Sequence, residues 1–205
     1  MLTNQDIRSF HRVAVMASVD IVDKVRPADL QRPTPCDGWN LAQLLAHMTV
    51  QHRGFAAAAR GDGADLARWD VATVADAVAS DPAATYAAAA TDVLEAFADD
   101  GVLEATFALP EFGPGAAFPG EQAIGFHFVD YVVHGWDVAR ALGAPFVLPD
   151  EVISAVLPLV LAVPDGDFRT APESPFARAI DAGEGVSELD GALLHLGRSP
   201  AWTPS

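Results

Sequence analysis

Four ionisable residues, His127, Asp130, His134 and Asp137, share the segment GEQAIGFHFVDYVVHGWDVARALG from Gly120 to Gly143. On a helix at ~100° per residue they fall within ~80° of one another. The large side chains around them, Phe126, Phe128, Val129, Tyr131, Val132, Val133, Trp136 and Val138, are apolar. A surface helix has one apolar stripe and a broad polar back; this segment has the reverse. It is therefore expected to be buried, and buried charges require partners or a metal. Asp130 and His134 stand one helical turn apart, so both can face one ion. Two histidines and a carboxylate with an open position suit catalytic Zn²⁺ or another divalent ion. This helix supplies one of each, so the second histidine must come from elsewhere. His47 and His52 are the candidates. His127 lies about two turns, ~10 Å, from His134, which fits an outer partner or substrate contact better than a ligand. A buried hydrogen-bond network that only fixes helix register is the plainer alternative.

The remaining sequence supplies helices to carry these groups. Asn4 to Val25 has Ile7, Phe10, Ala14, Ala17 and Ile21 at helical spacing, with Thr3 or Asn4 as cap and Pro27 as stop. A turn-rich connector, ADLQRPTPCDGWN, follows. Asn40 with Gln43 forms a capping-box pattern that opens a second helix to about Arg60. In that helix His52 sits near the middle of the apolar stripe and His47 toward its edge, and periodicity does not decide between them. Gly61 to Ser80 is ambiguous, with weak helical character. Asp81-Pro82 starts a third long helix that Gly101 stops. Leu103 to Pro119 is expected to be irregular, with TFAL strand-like and PEFGPGAAFPG a loop. Asp150 to Val163 reads as a helix kinked or broken at Pro158, Pro164 to Gly185 as loop, and Glu188 to Leu196 as a short last helix. Four long helices with modest connections imply an all-α fold, an up-and-down four-helix bundle over residues 1–145, with residues 146–205 as a C-terminal extension.

Bulk composition narrows the function. Of 205 residues 51% are hydrophobic and 20% charged, which suits a globular chain. A formal net charge of −16 with only 12 basic residues argues against nucleic-acid or anionic-membrane partners. Cys36 is the single cysteine, so no intrachain disulfide forms and a cytoplasmic setting is expected. Neither a signal-peptide pattern nor an apolar run long enough to span a bilayer is visible. Cys36 reads as a packed small hydrophobe, Trp39 and Trp136 as packing anchors, and His11 and His195 as exposed surface residues.

Three segments carry a resemblance: RPTPCDGWNLAQLLAHM (Arg32 to Met48), HFVDYVVHGWDVARALG (His127 to Gly143) and, more weakly, LLHLGRSPAW (Leu193 to Trp202). With them the chain resembles the mycothiol-dependent maleylpyruvate isomerase N-terminal domain group of the DinB-like superfamily. The resemblance implies a four-helix bundle with a metal on three residues, matching His47, Asp130 and His134, and so selects His47 over His52. Where this chain has Asp130, the isomerases have Glu and other DinB-like proteins His. Asp is one methylene shorter, which bears on the metal: Zn²⁺ is expected, with Ni²⁺ or another divalent ion as the alternative. The implied activity uses mycothiol as co-substrate for S-transfer to, or isomerisation of, a small electrophile. His127 and Asp137 would orient ligands. Arg140 and Arg53 are candidate contacts for an anionic substrate, with solvated surface charge as the plainer reading. Metal-assisted hydrolysis and a non-catalytic partner-binding or homodimerising module are the competing functions.

Overall fold

The computed structural model describes residues 6–171 and 174–204. Among them are seven α-helices: α1 (Arg8–Val22), α2 (Leu41–Ala59), α3 (Ala72–Ser80), α4 (Pro82–Ala96), α5 (Gly120–Leu142), α6 (Asp150–Leu161) and α7 (Glu188–His195). One antiparallel hairpin, β1 (Thr106–Ala108) with β2 (Ala117–Pro119), pairs Phe107 with Phe118. The local chemistry accounts for the main boundaries. Asn40 accepts from the Gln43 N–H while Gln43 answers the Asn40 N–H, a complete capping box on α2. Asp81 accepts from the Ala84 N–H ahead of Pro82 in α4, and Ser187 caps α7. Gly143 closes α5 at φ 67°, a left-handed position open to glycine at little cost. The caps expected at Thr3 or Asn4 lie outside the described residues.

The long helices enclose one interior. α1 packs on α5 and α4, and α2 on α4 and α5, while α6 lies against α5 and α1 and α7 against α6. Leu41, Leu44, Leu45 and Met48 of α2 meet Tyr86 and Ala90 of α4 and Tyr131 of α5. Phe128, Val132 and Val133 turn the other way, onto Val152, Val156 and Val160 of α6. α5 therefore has apolar neighbours on several sides, and 17 of its 23 residues are buried. That is the burial its inverted stripe requires.

Two expectations need correction and one ambiguity is resolved. The segment read as loop before α5 contains β2, held by pairing with TFA across the hairpin. The ambiguous stretch folds into a 3-10 turn, Leu66–Trp69, and α3, whose Val74 and Val78 are buried. α6 runs through Pro158 unbroken: the proline forgoes one bond, to the Ser154 carbonyl in the turn before it, while the Ala162 N–H still donates to Pro158 O at 3.1 Å.

The start of α5 shows how tightly the site's main helix is anchored. The Gly120 N–H donates to Ala105 O at 2.8 Å and the Glu121 N–H to Leu103 O at 3.0 Å. A Cβ on Gly120 would stand 1.9 Å from the Val102 carbonyl oxygen. Alanine is the better helix former by ~1 kcal/mol, but here the clash is with backbone and wins. Gly120→Ala is expected to lower stability by ~1–3 kcal/mol in urea titration; an unchanged or raised midpoint would contradict this packing.

Candidate metal centre

α2 and α5 bring His47, Asp130 and His134 together, with one ligand atom from each lying within 4.8 Å of the others. His134 Nε2 is 3.3 Å from Asp130 Oδ1. The His47 and His134 rings stand almost perpendicular at 5.3 Å between centroids, and Trp39 packs on His47 at 5.0 Å. Asp130 keeps 24% of its side chain exposed, so the cluster is reached from solvent on that side. His47, and not His52, is the α2 histidine that faces this pair.

His134 is held from behind. Its Nδ1 lies 2.9 Å from Asp137 Oδ2, and Asp137 is fully buried. Arg198 Nε donates to the two Asp137 oxygens at 3.2 and 3.3 Å. Cys36 Sγ donates to Asp137 Oδ2 at 3.1 Å and accepts from Arg198 Nη2 at 3.2 Å. Burial alone would raise the Asp137 carboxyl, but His134 and Arg198 hold it below the usual carboxylate range. Asp130 is likewise held low against its burial by His134 and His47. Burial pulls His134 down, yet Asp130, Cys36 and Asp137 together push it well above the ordinary histidine value. His47, by contrast, is lowered to about 4 by burial, opposed by Asp130.

These positions suit a divalent ion. Both His134 nitrogens face carboxylates, a geometry that calls for an imidazolium or for a cation at Nε2. With Nδ1–H fixed on Asp137, the Nε2 lone pair joins a neutral His47 and the Asp130 carboxylate as a donor set of the right chemistry. Cys36, His134 and Asp137 form a second cluster of potential ligand atoms. That one already contains a cation, the Arg198 guanidinium, and so is a support rather than a vacancy for metal.

His127 belongs to a different assembly. His11 Nε2 and His127 Nδ1 share a hydrogen bond at 2.8 Å, and His127 Nε2 and His52 Nδ1 share another at 3.1 Å. All three rings are buried, and Tyr131 stacks on His52 and His127 at 4.0 and 4.1 Å. Burial lowers His11 to about 3 and drives His52 and His127 well below their ordinary value. Both His127 nitrogens are thus taken by other histidines, and Asp137 is the residue on His134. The expectation of an exposed His11 is overturned: it is 1% exposed, because α1 turns the Ile7–His11–Ala14 stripe inward. His195 is half-buried, its Nε2 bonded to Val163 O at 2.9 Å. Arg140 donates to the Pro200 carbonyl and lies 5.1 Å over Trp136; Arg53 is exposed.

Arg198 and the polar contacts of Cys36 are the functional features the sequence reading missed. Their only signal was position, since both stand inside segments that carried the family resemblance. Comparison with known proteins agrees with that resemblance. Residues 11–139 match the family described as mycothiol maleylpyruvate isomerase N-terminal domain. Two uncharacterized proteins of Mycobacterium tuberculosis, from strains CDC 1551 / Oshkosh and ATCC 25618 / H37Rv, are each 30% identical over 168 residues, covering 82% of this chain and 84% of theirs. The crystal structure of mycothiol-dependent maleylpyruvate isomerase is similar at TM-score 0.54 and 13% identity, and that of a histidine-to-alanine mutant at 0.56 and 11%. Each match covers 73% of this chain and 65% of the isomerase, so the chain spans just under two thirds of that enzyme's length, and the likeness speaks for the fold. With its helical architecture and more than half its length matched, the chain belongs to the mycothiol maleylpyruvate isomerase N-terminal domain family.

Proposed function

We propose that this chain is a metal-dependent enzyme that uses a low-molecular-weight thiol, mycothiol, to transfer sulfur to a small electrophile or to isomerise it. The observation that carries the reading is His134 set between Asp130 and Asp137, 3.3 and 2.9 Å away, with His47 alongside. His47, Asp130 and His134 would hold a divalent ion, Zn²⁺ by donor type, with Ni²⁺ as the alternative. Such an ion, when bound, supplies the positive charge that lets a thiol lose its proton near neutral pH. The chain's own residues do the rest. Asp137 keeps the Nδ1 proton on His134 and so points the Nε2 lone pair at Asp130. Arg198 neutralises Asp137 and fixes its orientation. The bundle reading assigns α1, α2, α4 and α5 to the four helices, residues 1–145 to the metal-binding unit, and 146–205 to an extension that braces it from the Arg198 side. The setting is cytoplasmic in this reading, where a thiol co-substrate stays reduced.

Elemental analysis of the purified protein, followed by thiol titration of the metal-loaded form, tests the proposal. About one divalent ion per chain and a saturable thiol response are expected; absence of both defeats it. Asp137→Asn gives a finer check. The neutral side chain loses its charge pairing with Arg198 and its hold on the Nδ1 proton, so metal affinity is expected to fall ~10–100-fold with helicity retained. Competition with a chelator reads this directly, and an unchanged affinity would remove Asp137 from the centre.

A further inference from the structure

The metal centre draws its residues from two helices, His47 from α2 and both Asp130 and His134 from α5. Asp130 and His134 are spaced by their own helix, but the reach of His47 depends on where α2 lies. Apolar contacts set that position loosely, because they carry no direction. A ligand set tolerates errors of only ~0.5 Å. Among the described residues, two side-chain hydrogen bonds join α2 to α5. One links His52 and His127 at 3.1 Å. The other runs from the Tyr131 hydroxyl to the Met48 carbonyl. Tyr131 directly follows Asp130 in the chain, and Met48 directly follows His47. The second bond therefore ties the two ligand-bearing turns to each other.

The hydroxyl is itself held in place. The Tyr131 ring is fully buried and lies nearly parallel to His52 and His127, at interplanar angles of 17° and 19°. His127 is fastened in turn to His11 of α1 at 2.8 Å. The imidazole chain thus gives Tyr131 a fixed surface to lie on, and Tyr131 passes that position to α2. Met48 lies within α2, so its carbonyl also serves the helix ladder with its other lone pair. A phenylalanine would fill the same space without orphaning that carbonyl. What the hydroxyl adds is direction.

We propose that Tyr131 is a positioning residue of the metal centre: its hydroxyl fixes α2 against α5 at Met48 and so keeps His47 within reach of the ion that Asp130 and His134 would hold. The inference rests on the proposed metal centre and deepens it. It also gives the buried imidazole chain a use, as the platform that orients the phenol. Asp130 makes the restraint matter, because its short side chain has little reach with which to follow a displaced His47.

Zinc affinity tests it, read by competition with a chromophoric chelator under conditions where circular dichroism shows every variant fully folded. Tyr131→Phe is expected to weaken zinc binding about tenfold. Tyr86→Phe is the matched control. Tyr86 is equally buried, and its hydroxyl meets Ser18 Oγ at 2.7 Å, a tie between α4 and α1 that does not involve α2. Its loss should leave zinc affinity within about a factor of two. A purely structural role for the Tyr131 hydroxyl would lower the urea midpoint and leave the zinc affinity of the folded protein alone. Unchanged zinc binding in Tyr131→Phe therefore overturns the proposal. An equal loss of affinity in both variants overturns it too, since that is general loosening of the interior. Wild type separates the two readings. Zinc held equally by wild type and Tyr131→Phe leaves the metal centre standing and this inference lost. No zinc in wild type removes the metal centre, and the inference with it.

Discussion

His134→Ala is expected to yield protein without stoichiometric divalent metal and without thiol-dependent activity, while the far-ultraviolet circular dichroism stays helical. Loss of an outer partner of a ligand costs ~10–100-fold in metal affinity, and loss of the ligand itself exceeds that. The fold should persist because Asp137 keeps its two bonds from Arg198 and its contact with Cys36 after the imidazole has gone. Some stability is lost all the same, ~2–4 kcal/mol for an emptied buried site with the contacts to Asp130 and Asp137 unmade. His47→Ala separates metal loss from this packing cost. His47 is half-buried and packs on Trp39 of the connector and edge-on to His134, so its removal should release metal with a smaller change in melting temperature. Elemental analysis of both variants, beside wild type prepared identically, decides. Full occupancy in either would sink the ligand assignment.

Acidifying the metal-free protein from pH 6.5 to pH 5 should destabilise it steeply. The chain His11–His127–His52 is neutral when folded, with His11 lowered to about 3 and the other two well below their ordinary value by burial. Unfolded, each takes a proton near pH ~6.5. Below that pH the unfolded state binds more protons, so stability falls with pH by up to ~1.4 kcal/mol per unit for each histidine. His47, lowered to about 4, acts in the same direction. His134 is raised, so its contribution is complete below pH ~6.5 and is lost only as pH climbs toward its folded value. Four lowered histidines outweigh one raised histidine at pH ~6.5, so the two effects place maximum stability of the metal-free form near pH ~7. Relief of the −16 net charge opposes acid unfolding, but exposed carboxylates stay ionised above pH ~5 and their repulsion is screened by salt. Urea midpoints at pH 7, 6 and 5 test the slope. A flat response would mean that the imidazole chain is wetter than its burial implies.

How much of this could be read from the residues alone differs from element to element. α5 was legible because its pattern is inverted: an ionisable stripe on an apolar helix has few explanations, and its spacing joined Asp130 to His134. α2 and α4 were legible through their caps, which act over three residues. The hairpin strand β2 was not, since three residues in a Gly/Pro-rich stretch gain strand character only from their partner across the turn. His11 and His127 share a hydrogen bond across 116 residues, and no local period encodes such a contact. Periodicity could not choose between His47 and His52 because both lie on the inner half of α2, one facing Asp130 and His134 and the other the imidazole chain. Arg198 was hidden for a similar reason: a lone arginine after a short helix looks solvated until Asp137, 61 residues earlier, is folded against it.

For the proposed metal centre, that ion pair would set an order of events during synthesis. His47, Asp130 and His134 leave the ribosome long before residue 198, so a nascent chain presents the three donors while Asp137 still lacks its counter-charge. A metal taken up at that stage would exchange readily, and the site would become retentive only once the C-terminal segment had docked.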